Sequence, residues 1–456
     1  MEIIPVVLAI IVLLLLLFAG IPVAISLASS GIIGLLVLSG PDLVSSVIAG
    51  TSYSAVGKSN LVVVPMFVLM GMLTLHSGIA EQLFAFAARG LRRLPGGLAI
   101  ATILASAGFG AVTGSSLASV GTLGRTAITE MTRHGYNKGF AGAAVAVSGS
   151  LAVLIPPSII LVLYGAITGE SVGDLLLAGI IPGILSALGL VTFAILLAWR
   201  KPALVHEPQS PAAAAAAETM SLSNQSPVGV VMTVGSVTRA LVAITLIFTV
   251  VIGGIYSGFF TPSESAAVGA LVAFALIVSQ YITRPRLLRK NLANALRETV
   301  SLNSMIFLIL VGAGIFSYFL VVAGVPTALS TFVVGLPIAP ELTVIMLLLI
   351  LIPGGMFLDS ISLLVITVPL VYQPIVDMGF DGIWLGILIV KLIELGMITP
   401  PIGLNVFATA GTTPGLHVED VFKGVIPFYL ADLVIIAVLF SFPVLVTWLP
   451  ALSGGG

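Results

Sequence analysis

Residues 151–160 read LAVLIPPSII and residues 395–405 read LGMITPPIGLN, so each stretch places two consecutive prolines inside a long apolar run. A proline lacks the backbone N–H that an α-helix needs and clashes with the preceding turn, so each pair interrupts a helix. Pro156-Pro157 and Pro400-Pro401 lie 244 positions apart. The two stretches therefore predict two copies of one unit, each with a helix that breaks within an apolar segment.

The same offset of 244 positions relates further residues of the two halves without a gap. Gly110 falls on Gly354, Ser116 on Ser360, Gly135-Tyr136 on Gly379-Phe380 and Gly142 on Gly386. Glycines match by chance in a chain that has 49 of them, so the paired prolines are the stronger evidence. The alternative is that these matches are coincidence in an apolar sequence of low complexity. Because the matched residues follow the same order in both halves, two repeats are favoured.

The chain's composition indicates that lipid is the solvent for most of its surface. Hydrophobic residues make up 59% of the 456 residues and charged residues 8%, against about 25% charged residues in an average soluble domain. The net charge of −1 argues against a nucleic-acid partner. The lack of cysteine excludes disulfides and thiolate metal sites. No P-loop or other catalytic signature appears, so we expect neither ATP hydrolysis nor an enzyme.

Charge and composition also divide the chain and orient its parts. The most hydrophilic stretch, 200–237, has the composition of a linker between a first repeat at 1–199 and a second at 238–456. Lys and Arg collect in cytoplasmic loops. The first repeat is basic at 89–93, whereas the second is basic at 284–297. Because these segments do not correspond, the repeats should be inverted, with both termini outside and the linker inside.

We therefore expect an all-α polytopic membrane protein of two inverted-topology repeats with re-entrant hairpins and discontinuous helices. This architecture recurs in secondary transporters. The hairpins are predicted at 98–128 and 342–370, where the turns Thr113-Gly114-Ser115-Ser116 and Leu358-Asp359-Ser360 interrupt apolar runs. An even number of membrane crossings would satisfy the same charge pattern.

The turns and the proline pairs together predict an ion and substrate site. Consecutive prolines free upstream carbonyls, which need a partner in hydrocarbon, and a sodium ion takes such hard oxygen ligands. The alternative is that Gly-Ser runs only permit close helix packing and the prolines only kink a helix. The predicted sodium ligands are Thr113, Gly114, Ser115, Pro156, Ser158, Gly355, Asp359, Thr399, Pro400 and Gly403. The predicted substrate contacts are Ser115, Ser116, Arg125, Asp359, Ser360 and Asn405.

Five charged residues near these motifs have two interpretations each. Asp359 is an ionisable group in a membrane segment and so a candidate site residue, or it caps one arm of a hairpin. Lys391 and Glu394 are three residues apart on a helix and either neutralise one another or act directly. Arg125 either pairs with an anionic substrate or snorkels to the interface. Glu264 follows Thr261-Pro262 in a pattern that favours a capping box over a functional role.

Long ordered motifs along nearly the whole chain carry a family resemblance. They include LPGGLA at 94–99, LIPPS at 154–158, AGIIPG at 178–183, GIYSGFFTPSE at 254–264 and ITPPIGLNVF at 398–407, together with the Thr113–Ser116 turn. With these motifs the chain closely resembles the large permease subunit of TRAP transporters, the tripartite ATP-independent periplasmic systems.

The resemblance implies a sodium-driven importer of organic anions such as C4-dicarboxylates or sialic acid in the bacterial inner membrane. A periplasmic binding protein would deliver the substrate, and a small four-helix membrane subunit would be a separate chain. The implied mechanism is an elevator, with sodium ions at the two hairpin tips and paired-proline breaks and no organic cofactor. The alternatives are a divalent-anion symporter that works without a binding protein, and a channel or non-transporting scaffold.

Overall fold

The computed structural model describes residues 3–205, 234–335 and 337–453. Most of the predicted linker, residues 206–233, lies outside this described part. Within it the regular elements are helices, without a strand. The all-α prediction is therefore confirmed.

The helices of the first half, in chain order, are Ile3–Phe18, Val23–Ser39, Pro41–Val56, Val63–Leu75, Ile79–Leu91, Gly97–Thr113, Ser116–Arg133, Lys138–Gly149, Leu151–Leu154, Ile159–Thr168, Val172–Ala178 and Ile180–Arg200. Those of the second half are Val234–Phe248, Gly254–Tyr256, Pro262–Tyr281, Pro285–Val322, Val325–Val334, Pro340–Leu349, Leu351–Phe357, Ser360–Asp377, Gly382–Gly396, Leu404–Thr412, Val418–Ser441 and Val444–Ser453. Short 3₁₀ turns at Ser59–Val62 and Pro202–Leu204 and a π-helical turn at Thr249–Gly253 complete them.

The two halves repeat one another at the predicted offset. Ser116–Arg133 and Ser360–Asp377 begin and end at positions that differ by 244. Each is followed by a glycine with positive φ, 80° at Gly135 and 90° at Gly379, a conformation that glycine adopts without steric cost. The two-copy organisation inferred from the prolines is thus present in the helices themselves.

Two hairpins and two breaks are the features that these copies share. Hairpin 1 consists of Gly97–Thr113 and Ser116–Arg133, which pack against each other. Hairpin 2 consists of Pro340–Phe357 and Ser360–Asp377. The first break is residues 155–158 and the second break is residues 397–403, where helical hydrogen bonding stops at the paired prolines.

The helices form two packed groups. In the scaffold group, residues 3–75 and 234–322, the long helix Pro285–Val322 packs along Val23–Ser39. The core group, residues 97–200 and 340–453, contains both hairpins and both breaks. Ile79–Leu91 and Val325–Val334 connect the groups, and each packs against the hairpin of its own copy.

The outer surface of this fold is apolar. Phe18 and Phe259 are 78% and 79% exposed, which water would disfavour and lipid favours. Six helices in the described residues are long and apolar enough to cross a membrane, and bent pairs raise the number to eight. The chain is therefore a polytopic membrane protein.

Close backbone contact in the scaffold group gives a stability prediction. A Cβ added to Gly31 would lie 2.8 Å from the Cα of Phe316, so Gly31→Ala must push two helix backbones apart. We expect a loss of about 1–3 kcal/mol in the free energy of unfolding, measured by unfolding of the purified protein in detergent.

Gly50 provides the control, because it lies in helix Pro41–Val56 with nothing within 4 Å of an added Cβ. Gly50→Ala should be neutral or stabilising by up to about 1 kcal/mol, since alanine has the higher helix propensity. Equal stability of the two variants would contradict the close contact between Gly31 and the backbone of Phe316.

Candidate functional site

Each hairpin tip lies against the break of its own copy. Gly114, at the tip of hairpin 1, has φ 61°, and a Cβ there would lie 2.9 Å from the carbonyl oxygen of Pro157. In hairpin 2 the N–H of Gly403 donates to the carbonyl of Met356 across 3.3 Å. The fold therefore brings the two kinds of predicted motif together within each copy.

One buried carboxylate connects the tips of both hairpins. Glu394 lies on the largely buried helix Gly382–Gly396, three residues before the second break, and is 1% exposed. Its Oε1 accepts a hydrogen bond from the Ser360 hydroxyl at 2.7 Å and another from the Ser116 hydroxyl at 3.3 Å. Ser116 and Ser360 are equivalent positions of the two copies, so Glu394 joins the copies directly.

The polar atoms beside this contact are incompletely satisfied. Glu394 Oε2 and both polar atoms of the Asn405 side chain form no hydrogen bond of good geometry in the described part of the chain, and the Asn405 amide lies within reach of the Glu394 carboxylate. Asn405 is fully buried in the first turn of Leu404–Thr412, and its amide lies beside the Glu394 carboxylate. Buried polar groups are nearly always paired. The polar atoms of this cluster can therefore form further bonds to a ligand.

Of the two interpretations of Lys391 and Glu394, the ion pair between them is not formed in the structure. The Lys391 ammonium instead pairs with Asp432 Oδ1 at 2.5 Å, and the two side chains are 3% and 1% exposed. Asp432 belongs to helix Val418–Ser441, which packs against the helix that carries Lys391. The neighbouring helix thus supplies the counter-charge and leaves Glu394 directed at the hairpins.

Three predicted ligands, two at the hairpin tips and one in the first break, directly precede helices and cap them. Asp359 accepts hydrogen bonds from the backbone N–H groups of Ile361 and Ser362 at 3.2 and 3.3 Å, so the capping interpretation describes its contacts. Ser115 and Ser158 each accept the N–H of the residue three positions later at 3.3 Å. A cap satisfies helix N–H groups and leaves further lone pairs on each oxygen for a ligand.

The remaining predicted sodium ligands lie at the hairpin tips and breaks, and they differ in solvent exposure. The hydroxyls of Thr113 and Thr399 donate to carbonyls of their own helices, at 3.3 and 2.6 Å. Gly355 lies against the backbone of Gly396. Pro156 is buried, whereas Pro400 is exposed. The first break is therefore covered by protein, and the second opens to the outside of this chain.

Two charged candidates lie apart from the tips. Arg125 is exposed, about 14 Å beyond Ser116 along its helix at 1.5 Å per residue. No carboxylate in the described residues lies within ion-pair distance of it. Glu264 forms the predicted capping box with Thr261, which accepts the Glu264 N–H at 3.3 Å while its own N–H donates to Oε2 at 2.8 Å.

Asp432 is a residue of this region that was not identified from the sequence. It is an ionisable side chain in the apolar part of its helix that follows Lys423, the signal that marked Asp359 as a candidate. Its partner is 41 positions away, so sequence spacing alone does not reveal the pair.

Comparison with known families matches the sequence to a transporter component. The family model for the tripartite ATP-independent periplasmic transporter, DctM component, covers residues 10–445. The chain belongs to this family. The predicted resemblance is thereby confirmed.

Relatives in this DctM family are similar along their whole length. The C4-dicarboxylate TRAP transporter large permease protein DctM of Vibrio cholerae is 33% identical over 96% of this chain and 95% of its own. The sialic acid TRAP transporter large permease protein SiaM of the same organism is 29% identical over 96% and 97%. The ectoine TRAP transporter large permease protein TeaC of Halomonas elongata is 28% identical over 96% and 97%.

Solved transporters share the fold at low sequence identity. The YdaH transporter of Alcanivorax borkumensis matches with a TM-score of 0.59 and 14% identity over 89% of this chain and 88% of its own. MtrF of Neisseria gonorrhoeae matches with a TM-score of 0.60 and 15% identity over 89% and 85%. The chain therefore has the fold of these membrane transporters.

The buried ion pair gives a prediction with an internal control. Lys391→Met leaves the Asp432 carboxylate buried without its partner, so we expect a loss of about 3–5 kcal/mol in the free energy of unfolding. The double variant Lys391→Met/Asp432→Leu removes both charges and should recover most of that loss. The measurement is unfolding of each purified variant in detergent.

An additive loss in the double variant would show that the two side chains do not interact. Recovery in the double variant would show that the Lys391–Asp432 pair has a structural role, distinct from the role of Glu394 at the hairpin tips.

Proposed function

We propose that the chain is the large membrane subunit of a sodium-coupled, binding-protein-dependent importer of organic anions in the bacterial inner membrane. The observation that carries the proposal is the meeting of both hairpin tips and the second break around buried oxygen atoms. Such a site at the interface of two repeats, built on discontinuous helices, is the arrangement that secondary transporters use for ions and substrate.

Sodium fits the donor atoms at the tips. Hydroxyl, carbonyl and carboxylate oxygens are hard ligands, and each tip has several of them. The described residues hold no group of three or more His, Cys, Asp or Glu side chains, the sets that suit divalent and transition metals. In the proposal one ion binds among Thr113–Ser115 and the first break, and another among Gly355, Asp359 and the second break.

An anionic substrate fits the same region. The second arms of both hairpins begin at the tips, so two helix N-termini direct their positive dipole ends there. Ser116, Ser360 and Asn405 are buried, which leaves the half-buried Ser115 and Asp359 and the exposed Arg125 as the more accessible of the predicted contacts. Relatives named for C4-dicarboxylate and sialic acid support carboxylates as the substrate class.

The two packed groups support an elevator in which the core group moves against the scaffold group. A small membrane subunit would pack on the apolar scaffold surface, and the family's description as tripartite and periplasmic supports a separate binding protein. In the proposal the basic segments at 89–93 and 284–297 face the cytoplasm, so both termini would lie in the periplasm.

Uptake into proteoliposomes tests the proposal directly. The chain is reconstituted with its small subunit, and uptake of a labelled C4-dicarboxylate or sialic acid is measured under an inward sodium or potassium gradient, with and without the binding protein. We expect uptake only with sodium and the binding protein. Sodium-dependent uptake without the binding protein would favour the ordinary symporter, and sodium-independent uptake would contradict the proposal.

Asp359→Asn tests the second tip within the same assay. Asparagine caps a helix as well as aspartate does, so the hairpin should fold while the charge is lost. We expect the sodium concentration for half-maximal uptake to rise roughly tenfold, which corresponds to about 1.4 kcal/mol of ion binding.

Asp381→Asn is the matched control. Asp381 caps helix Gly382–Gly396 by accepting the Trp384 N–H at 2.7 Å, about 20 Å from Glu394 along that helix. Its half-maximal sodium concentration should stay at the wild-type value. An equal rise in both variants would indicate a general effect of charge rather than a ligand at the tip.

A further inference from the structure

The start of helix Pro285–Val322 carries most of the positive charge of the second repeat. Five of its eight Lys and Arg residues lie in the basic segment 284–297, and all five are exposed: Arg284, Arg286, Arg289, Lys290 and Arg297. The neighbouring acid, Glu298, pairs with His76 at 3.0 Å. The described residues therefore place no carboxylate within ion-pair distance of these five cations.

An apolar groove lies beside these cations on the same helix. It has a volume of about 360 Å³ and is lined by Pro285, Leu288, Arg289, Leu292, Ala293 and Leu296. The three leucines follow one another at intervals of four residues, so they form one stripe along the helix. Leu296 is 53% exposed, and Val300, one turn farther, is 64% exposed. The leucine stripe therefore connects the cations with the lipid-facing surface.

The first repeat has the apolar pattern of this segment without its charges. Helix Pro41–Val56 begins at the corresponding position, 244 residues earlier. It has Val44 and Ile48 where the groove has Leu288 and Leu292, and it contains neither Lys nor Arg. Apolar residues are sufficient to bury one face of such a helix in a membrane surface. The cations of the second copy therefore serve a separate purpose.

An anionic phospholipid has the two chemical parts that this surface accommodates. Arginine binds phosphate oxygens through two parallel N–H donors, and basic pockets on the cytoplasmic side of membrane helices bind anionic head groups. Five cations within 14 residues also repel one another, and a negative head group offsets that repulsion. A free phosphate ion would use the cations and leave the leucine stripe uncovered, so the groove favours a lipid.

We propose that an anionic phospholipid binds in this groove, with its phosphate at Arg289 and Lys290 and one acyl chain along the leucine stripe. The helix that carries the groove packs along Val23–Ser39 in the scaffold group. The bound lipid therefore anchors the group that stays fixed in the proposed elevator. The lipid site goes beyond the transport function and applies whichever solute the chain carries; only its placement in the cytoplasmic leaflet rests on the proposed orientation.

Thermal unfolding of the purified chain in detergent tests the head-group contact. Phosphatidylglycerol should raise the unfolding temperature more than phosphatidylcholine with the same acyl chains, because a ligand that binds the folded state stabilises it. Arg289→Gln/Lys290→Gln should raise the half-saturating phosphatidylglycerol concentration several-fold. Arg92→Gln/Arg93→Gln is the matched control, because it removes two exposed cations from the other basic segment, and it should keep the wild-type value.

Ala293→Phe tests the acyl-chain contact, because Ala293 is exposed in the groove and a phenyl ring fills it without changing the charge. Its half-saturating phosphatidylglycerol concentration should also rise several-fold. A second measurement uses the wild-type chain and needs no variant. Phosphatidylglycerol with a photoreactive group in its acyl chain should label residues 285–296, both in the chain alone and after the small subunit is added.

Each contrary outcome overturns the lipid site. Equal stabilisation by the two lipids would remove the preference for an anion, and equal losses in the two double variants would indicate a general effect of positive charge. A wild-type value in Ala293→Phe would leave only attraction at the surface. Labelling elsewhere, or labelling lost when the small subunit is added, would assign the groove to another contact even if a variant fails to fold. The uptake assay tests the proposed function separately.

Discussion

The contact that the rest of the core depends on is the acceptance of two hydroxyls by one buried carboxylate oxygen, Glu394 Oε1. In a membrane there is no water to satisfy a polar group, so every such group must find its partner within the protein or a ligand. This constraint explains why the hairpin tips converge. The serines that open the second arms need an acceptor, the carboxylate needs donors, and both meet three residues before the second break.

The two copies share backbone geometry and differ in chemistry. Helix bounds, positive-φ glycines and paired prolines recur between the copies, yet the charges Lys391 and Glu394 occur only in the second copy, where the first has Val147 and Ser150. One carboxylate, that of Glu394, therefore contacts two structurally equivalent hairpins. A site on the interface between repeats can couple both hairpins to one event, which two independent sites could not do.

The sequence predicted the features that depend on local chemistry. Paired prolines and small polar turns located both breaks and both hairpin tips, and Thr261 with Glu264 predicted a capping box that the structure contains. Features that depend on helix packing could not be predicted. The spacing of Lys391 and Glu394 allowed an ion pair, but the helix that carries Asp432 decided the outcome. Asn405 and Glu394 lie on opposite sides of the second break. Helical periodicity does not continue across a break, so it could not predict that the two side chains lie close together.

Disulfide formation tests the convergence of the hairpins most directly, because the chain has no cysteine of its own. Ser116→Cys and Ser360→Cys are combined with a protease site inserted within 206–233, and membranes are oxidised and then cleaved. The two hydroxyl oxygens lie 3.3 and 2.7 Å from the same atom, Glu394 Oε1. We therefore expect a disulfide to link the two halves until it is reduced. Ser330 is the control partner for Ser116, because it contacts Asp377, roughly 25 Å along hairpin 2 from Ser360. Halves that separate as readily in the Ser116/Ser360 pair as in this control would contradict the account.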